Sequence, residues 1–248
     1  MTPVITIDGP VASGKGTVAR KVAEALGFHL LDSGAIYRAH ALACLSRNLD
    51  FNEINVLEEQ AKALSLKFDG ETVWIDGVDA TEKVRSEAAG MAASTLSAIP
   101  EVRAALLQRQ RDFAEAPGLV ADGRDMGTVV FPDAPLKIYL TATAEVRAGR
   151  RAGQVASQRL ASLTDHDAKR LIEKGKSPTM DGLLETIRAQ VQTEVEAQIR
   201  RRDSQDKSRA IAPLKPALNA IVIDNAAHRP TQTVEAVLAL WKLRTNDC

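Results

Sequence analysis

Residues 9–17 read GPVASGKGT, a string whose residue types suit it to holding phosphate. Gly9 and Gly14 permit backbone torsions and close approaches that a side chain would obstruct. With Pro10, Val11, Ala12 and Ser13 between them, they make a tight loop whose successive amides turn inward. The helix that follows adds positive potential at its N-terminus. Lys15 is spaced to reach the β- and γ-phosphates of ATP, Gly16 follows it, and the Thr17 hydroxyl would support the phosphate or a magnesium ion travelling with it. A Gly-rich turn that merely opens a helix has similar composition. The strand-like VITI before the loop and the amphipathic pattern after it are nevertheless the setting that a phosphate loop requires. The chemistry indicated is phosphoryl transfer.

The other candidates are cations and carboxylates. Ser33, Tyr37 and Arg38 follow the apolar run His29–Leu31. Arg38 offers a forked cation to a phosphate, and Tyr37 a hydroxyl and an aromatic face. A core tyrosine beside a surface arginine is the alternative. Arg124 and Asp125 follow Leu119–Ala121, where such neighbours also serve as plain structural salt bridges. Arg202, Asp206 and Arg209 fall at i, i+4 and i+7, so a helix places all three on one face, either in a site or as a solvated ion-pair row. Arg147, Arg150 and Arg151 cluster after Leu136–Leu140. They suit either a lid that closes on a transferring phosphoryl group or a solvated helix face, and sequence does not choose among them. His29, His40, His166 and His228 are scattered without ligand spacing and read as structural or surface residues.

These residues need a frame, and the apolar pattern supplies one. Val4–Ile7, His29–Leu31, Leu119–Ala121, Leu136–Leu140 and Ala220–Ile223 read as buried strands. Gly16–Leu26, Tyr37–Arg47, Val102–Ala114 and Thr231–Leu243 carry the period of amphipathic helices. The alternation predicts an α/β fold with a five-stranded parallel sheet, whose carboxyl ends are the place to seek a ligand. Residues 64–81 instead alternate apolar and polar, with Asp69-Gly70 and Asp76-Gly77 at turn positions, which predicts a small antiparallel meander. Residues of about 39–100 then form an inserted lobe within a single domain spanning 1–248. From the arginines at 147–151 to about 209 no strand signal appears. Ser177-Pro178 divides two helical halves, and Asp181 to Arg202 reads as one long polar helix packed along a narrow face.

Composition bounds the function. The chain has 248 residues, 45% apolar and 26% charged, with 32 basic side chains balancing 32 acidic ones. Zero net charge weakens the case for a general nucleic-acid or anionic-membrane binder. No apolar run has the length of a membrane span, and no signal core follows the N-terminus. Cys44 and Cys248 stand alone, which argues against a disulfide scaffold or zinc site and fits a reducing cytoplasm.

LLDSGAIYR at 30–38, DGRDMGTVVFPDA at 122–134 and RRDSQDKSRAIAPL at 201–214 resemble three signatures of bacterial-type cytidylate kinase, and GKGT is similar to the phosphate-loop variant of nucleoside monophosphate kinases. The likeness runs in family order over nearly the whole chain and is weakest at about 152–190, where this chain is longer. It implies a P-loop kinase fold with an inserted nucleotide-monophosphate lobe (39–100) and a helical lid (145–200). The implied reaction moves the γ-phosphate of ATP, with Mg2+, to CMP or dCMP. It assigns Asp125 and Arg103 to the cytosine edge, with Ser94 adding a contact, Asp206 to a ribose hydroxyl, and Arg202 and Arg209 to sugar or phosphate. Ser33, Tyr37, Arg38 and Arg124 complete the acceptor site, and Lys15, Arg124 and the lid arginines supply the catalytic cations. A cytoplasmic monomer acting on small molecules is expected, without nucleic-acid or membrane partners.

Two rivals stand beside this. Another small-molecule P-loop kinase, using UMP or a metabolite hydroxyl, would need for a hydroxyl a carboxylate base near the donor phosphates, and only Asp32 and Asp125 are candidates. A nucleotide-sensing regulator would rest on the basic cluster at 200–209 and is opposed by the zero net charge.

Overall fold

The structure, a computed structural model, describes residues 2–69, 72–161 and 179–246. Its centre is a five-stranded sheet built from β1 (Val4–Asp8), β2 (His29–Asp32), β6 (Leu119–Gly123), β7 (Leu136–Thr141) and β8 (Ile221–Asp224). The spatial order is β2-β6-β1-β7-β8, and every neighbouring pair is parallel. Parallel strands need covering on both faces, and alternate side chains do this. Val4, Leu119 and Ala121 face one core, with helices α2 (Ser33–Ser46) and α6 (Pro100–Arg111). Ile5, Ile7, Val120, Ile138 and Leu140 face the other, with α1 (Lys15–Leu26) and the C-terminal helix Pro230–Asn246. β1 and β6 lie side by side at the centre in register from Val4↔Leu119 to Asp8↔Gly123. The loops that leave their carboxyl ends, 9–14 and 124–125, therefore face one crevice.

The predicted strands are present, β1, β2 and β7 running one residue further, β6 two, and β8 starting and ending one residue later, but α2 begins at Ser33 rather than Tyr37. Its start is set by a polar cap and not by apolar period: the Asp32 carboxylate accepts from the Ala35 amide at 2.9 Å. Between α2 and β6 the chain leaves the sheet to form α3 (Ile54–Ala63), the antiparallel strands β3 (Leu66–Asp69), β4 (Thr72–Ile75) and β5 (Val78–Asp79), then α4 (Thr81–Val84) and α5 (Glu87–Leu96). Val73 and Ile75 pack this small sheet on Ala39 and Ala43 of α2. Asp76 and Gly77, both at positive φ, turn β4 into β5 as expected, whereas Gly70 of the other turn lies outside the described residues. A π-helical turn at Met126–Val130, which apolar period does not signal, follows β6.

After β7, α7 (Ala144–Ala161) packs on a long helix, α8 (Met180–Ser208). The seam is narrow: Ala148 and Ala152 meet Val191, Val195 and Ile199, and Val11 and Ala12 of the phosphate loop join the same cluster. α8 continues six residues beyond the predicted Arg202 end, carrying the buried Asp206 one turn past Arg202 on the same face. The Ser177-Pro178 break lies outside the described residues. Cys44 is buried as a free thiol. Among the described residues, no helix is long and apolar enough to cross a membrane.

Candidate active site

One cavity of about 890 Å3 opens at the carboxyl ends of β1, β2 and β6. Val11, Ala12, Lys15 and Gly16 line it, whereas Gly9, Pro10, Ser13 and Gly14 form the back of the loop and Thr17 lies exposed on the first turn of α1. Gly9 cannot carry a side chain, since a Cβ there would lie 2.2 Å from the Leu140 carbonyl oxygen. Gly14, at φ 91°, is the N-cap of α1 and brings no side chain to its first-turn amides. Those amides stay available to an anion.

Lys15 is buried and folds back over the loop, its Nζ donating to the Pro10 carbonyl at 3.3 Å. Burial, then the nearby Arg124, bring its ammonium down to about 8, with Asp122 pulling the other way. Burial likewise pushes the Asp122 carboxyl up to about 6 against the pull of Lys15. Asp122 stands at the end of β6 beside the loop: a Cβ on Gly16 would lie 3.1 Å from its Oδ2, and its buried Oδ1 has no hydrogen-bond partner among the described residues. The sequence reading missed this residue. Its signal was an aspartate closing the strand that pairs with the phosphate-loop strand.

A second wall comes from α2, α5, α6 and the turn after β6. Ser33 donates to the Asp122 carbonyl at 2.8 Å, and Arg38 is steered by Asp32 at 3.0 Å. Tyr37 presents its ring to the Arg103 guanidinium, 5.7 Å from the centroid, and burial pushes its phenol up to about 12. Arg103 is buried, donates to the Ser97 carbonyl at 3.2 Å and forms an ion pair with Asp125 through Oδ2. Burial raises the Asp125 carboxyl even against the pull of Arg103 and Arg209. Ser94 also lines the cavity and touches Gln205 of α8 at 3.3 Å.

The third wall is α8. Arg202 and Asp206 line it from the helix, and Arg209 from the residue just beyond its end. Arg124 donates to Asp206 Oδ2 at 3.1 Å, and Arg209 pairs with Oδ1 while reaching the Ser97 hydroxyl at 2.9 Å. Burial pushes the Asp206 carboxyl up, but Arg124 and Arg209 together outweigh it and hold the group below the usual range. Arg202 is pushed down by burial and by Arg124. So many buried and half-buried cations around one hollow are an arrangement for a polyanion.

The three clustered arginines separate. Arg147 is buried, paired with Asp203 at 3.0 Å, and donates to the Ala142 and Val11 carbonyls at 2.9 and 3.1 Å. Arg150 turns to the carbonyls of Ser13, Asn225 and Ala226. Arg151 lines the cavity and bridges to Glu87 of α5 at 3.3 Å. Asp8 was also missed by the sequence reading. Its buried carboxyl accepts from the Met126 and Gly127 amides at 2.9 and 2.8 Å, joining the phosphate-loop strand to the turn that carries Asp125. Of the histidines, His40 is buried against the Leu57 carbonyl, His29 and His228 meet main-chain carbonyls, and His166 lies outside the described residues.

Comparison with known proteins gives a consistent result. The family model described as cytidylate kinase matches residues 5–178 and 180–243. The cytidylate kinase of Bordetella bronchiseptica is 49% identical over 97% of this chain and 95% of its own. That of Burkholderia thailandensis is 47% identical over 97% of this chain and 93% of its own. Among solved structures, TT1252 from Thermus thermophilus covers 96% of this chain and 97% of its own at 20% identity and a TM-score of 0.39, too loose a likeness to add to the fold described above.

Proposed function

The chain belongs to the cytidylate kinase family, and on that premise we propose that it transfers the γ-phosphate of ATP to CMP or dCMP, giving ADP and CDP or dCDP. The observation that carries this is a single cavity bordered both by Lys15 of the phosphate loop and by the Arg103–Asp125 pair. Cytosine offers an exocyclic amine that donates, beside N3 and O2 that accept. Asp125 complements the amine and Arg103 the acceptors, with Ser94 adding a contact. Uracil would set a carbonyl against the carboxylate. Asp206 receives a ribose hydroxyl, while Arg38, Arg124, Arg202 and Arg209 surround sugar and acceptor phosphate.

The acceptor is a phosphate monoester that is largely dianionic near neutral pH, so no base has to take its proton. Catalysis reduces to aligning two polyanions, excluding water and supplying cations as charge shifts. Lys15 serves the donor phosphates. Arg151, which lines the cavity, is assigned to the transferring phosphoryl group, and Arg147 and Arg150 to holding the frame. Magnesium arriving with ATP suits the place beside Gly16, where Asp122 Oδ1, without a partner among the described residues, is a hard oxygen ligand and Thr17 stands exposed on the same first turn of α1. Bound there, the ion would neutralise charge on the β- and γ-oxygens.

The same reading makes the protein a cytoplasmic monomer that engages nucleotides rather than nucleic acid. A coupled assay with CMP, dCMP, UMP and AMP tests it. Transfer to CMP and dCMP well above the other two is expected, and equal rates with UMP would refute the base assignment.

A further inference from the structure

The phosphate loop is gripped from behind by a side chain that the reading above leaves without a role. Asn225, the first residue after β8, is buried, and its Nδ2 donates to the Ser13 carbonyl at 2.7 Å. Its backbone N–H is anchored to the Thr141 carbonyl at 2.7 Å, at the end of β7. Its Oδ1 accepts from the buried Thr233 hydroxyl at 2.6 Å. The Ser13 contact settles which end of the amide faces the loop, because only the NH2 end can satisfy a carbonyl, and the Thr233 hydroxyl is free to donate to the oxygen left over.

A loop whose amides face phosphate must turn its carbonyls away, and a buried carbonyl so turned needs a donor. Ser13 sits between Ala12 at φ 58° and Gly14 at φ 91°, two left-handed residues in a row of three. Ala12 carries a Cβ and does not rest there unaided. The amide is pressed close enough to forbid any side chain at Gly14, where a Cβ would lie 2.7 Å from Nδ2. Arg150 of α7 closes over the same point, its Nη1 reaching the Ser13 carbonyl at the longer distance of 3.5 Å and its Nη2 the Ala226 carbonyl at 3.3 Å.

We propose that Asn225, oriented by Thr233, is a positioning residue for the donor nucleotide: it pins the Ser13 carbonyl outward so that the loop holds its phosphate-binding shape before ATP arrives. The inference rests on residues 9–17 being the donor loop, but not on the identity of the acceptor.

The test is calorimetric titration of magnesium-ATP, and separately of CMP, into the full chain and its variants. Asn225→Ala and Asn225→Asp should each weaken ATP by roughly tenfold or more, the loss expected for a buried hydrogen bond. Asp should be the worse of the two, because it sets a carboxylate oxygen against the carbonyl. CMP affinity should stay at the wild-type level. Thr233→Val should weaken ATP in the same direction and Thr233→Ser restore it, and adding Thr233→Val to Asn225→Ala should cost nothing further. Unchanged ATP affinity in the Asn225 variants, equal losses for ATP and CMP, or additive losses in the double variant would each overturn the proposal. Should Asn225 variants not fold, the Thr233→Val and Thr233→Ser pair decides alone. A wild-type chain that bound no ATP would overturn the donor-loop reading and this proposal together. Normal ATP binding without transfer to CMP would count against the acceptor assignment only, since the Asn225 comparison is read from ATP affinity.

Discussion

Arg103 and Asp125 meet as a buried ion pair, one from the first turn of α6 and the other from the turn after β6, 22 residues on. The pair places a fixed carboxylate and a fixed guanidinium side by side, the complement of a base edge that both donates and accepts. Asp125→Asn should therefore lose the preference for CMP over UMP, by roughly tenfold to a hundredfold, the cost of leaving a buried polar group unpaired. The substitution also strands Arg103, so overall stability will fall. The ratio of kcat/KM for the two nucleotides isolates the effect on specificity, and an unchanged ratio means the base is read elsewhere.

Lys15→Ala should abolish transfer while leaving CMP binding near normal, since the side chain lies over the phosphate loop. Titration with CMP and a turnover assay check both halves. The wild-type residue adds a pH signature. In the free chain, burial and Arg124 bring its ammonium down to about 8. Bound phosphates favour the charged form, so above that pH binding takes up a proton and ATP affinity falls by up to about tenfold per pH unit. Lys15→Arg, which stays charged, should show a flat profile over the same range.

The three arginines of α7 should part company. Arg151→Ala should lower turnover by at least roughly a hundredfold with little change in CMP affinity, as for a cation used mainly in the transition state. Arg147→Ala breaks a buried pair with Asp203 and should cost about 3–5 kcal/mol of stability instead. Urea unfolding of both variants beside their kinetics distinguishes the roles. Normal turnover in Arg151→Ala would leave the cluster without a part in the chemistry.

Asp8 should make stability fall as pH rises through the weakly acid range. Burial pushes its carboxyl from 3.8 up to about 7. Between those values the unfolded chain has released the proton and the native chain has not, so rising pH favours unfolding. The contribution is whole below about pH 4 and gone above about 7. Asp8→Asn removes this titration, and the Asn side chain cannot accept from both the Met126 and Gly127 amides. The stability of wild type relative to the variant should therefore decline between those limits and then level. Unfolding midpoints measured at several pH values would show a constant difference if the carboxyl stays ionised.

The sequence disclosed the loop at 9–17 and the strands because their signals are local: a fixed spacing of glycines and lysine, and short apolar runs. The same holds for Arg202 and Asp206, which one helical period places together. Asp8, Asp122 and Asn225 were not legible in that way. Each acts on a residue that lies far along the chain, and only the side-by-side placement of β1 and β6, or of β7 and β8, brings the partners together. The separation of Arg147 from Arg151 was equally hidden. Which cation is consumed by Asp203 depends on how α8 lies against α7, and no spacing within residues 147–151 encodes that.

The seam of Ala148, Ala152, Val191, Val195 and Ile199 also takes in Val11 and Ala12, and this has a mechanical consequence. The Arg147–Asp203 and Arg200–Glu145 pairs also tie α7 to α8, so the two helices would tilt as one body resting on the proposed donor loop. Close packing leaves no slack there to absorb a tilt, so any tilt of the helix pair would displace Val11 and Ala12 as well. Were one nucleotide to favour a particular tilt, the other would feel it to the same degree, since such coupling is reciprocal.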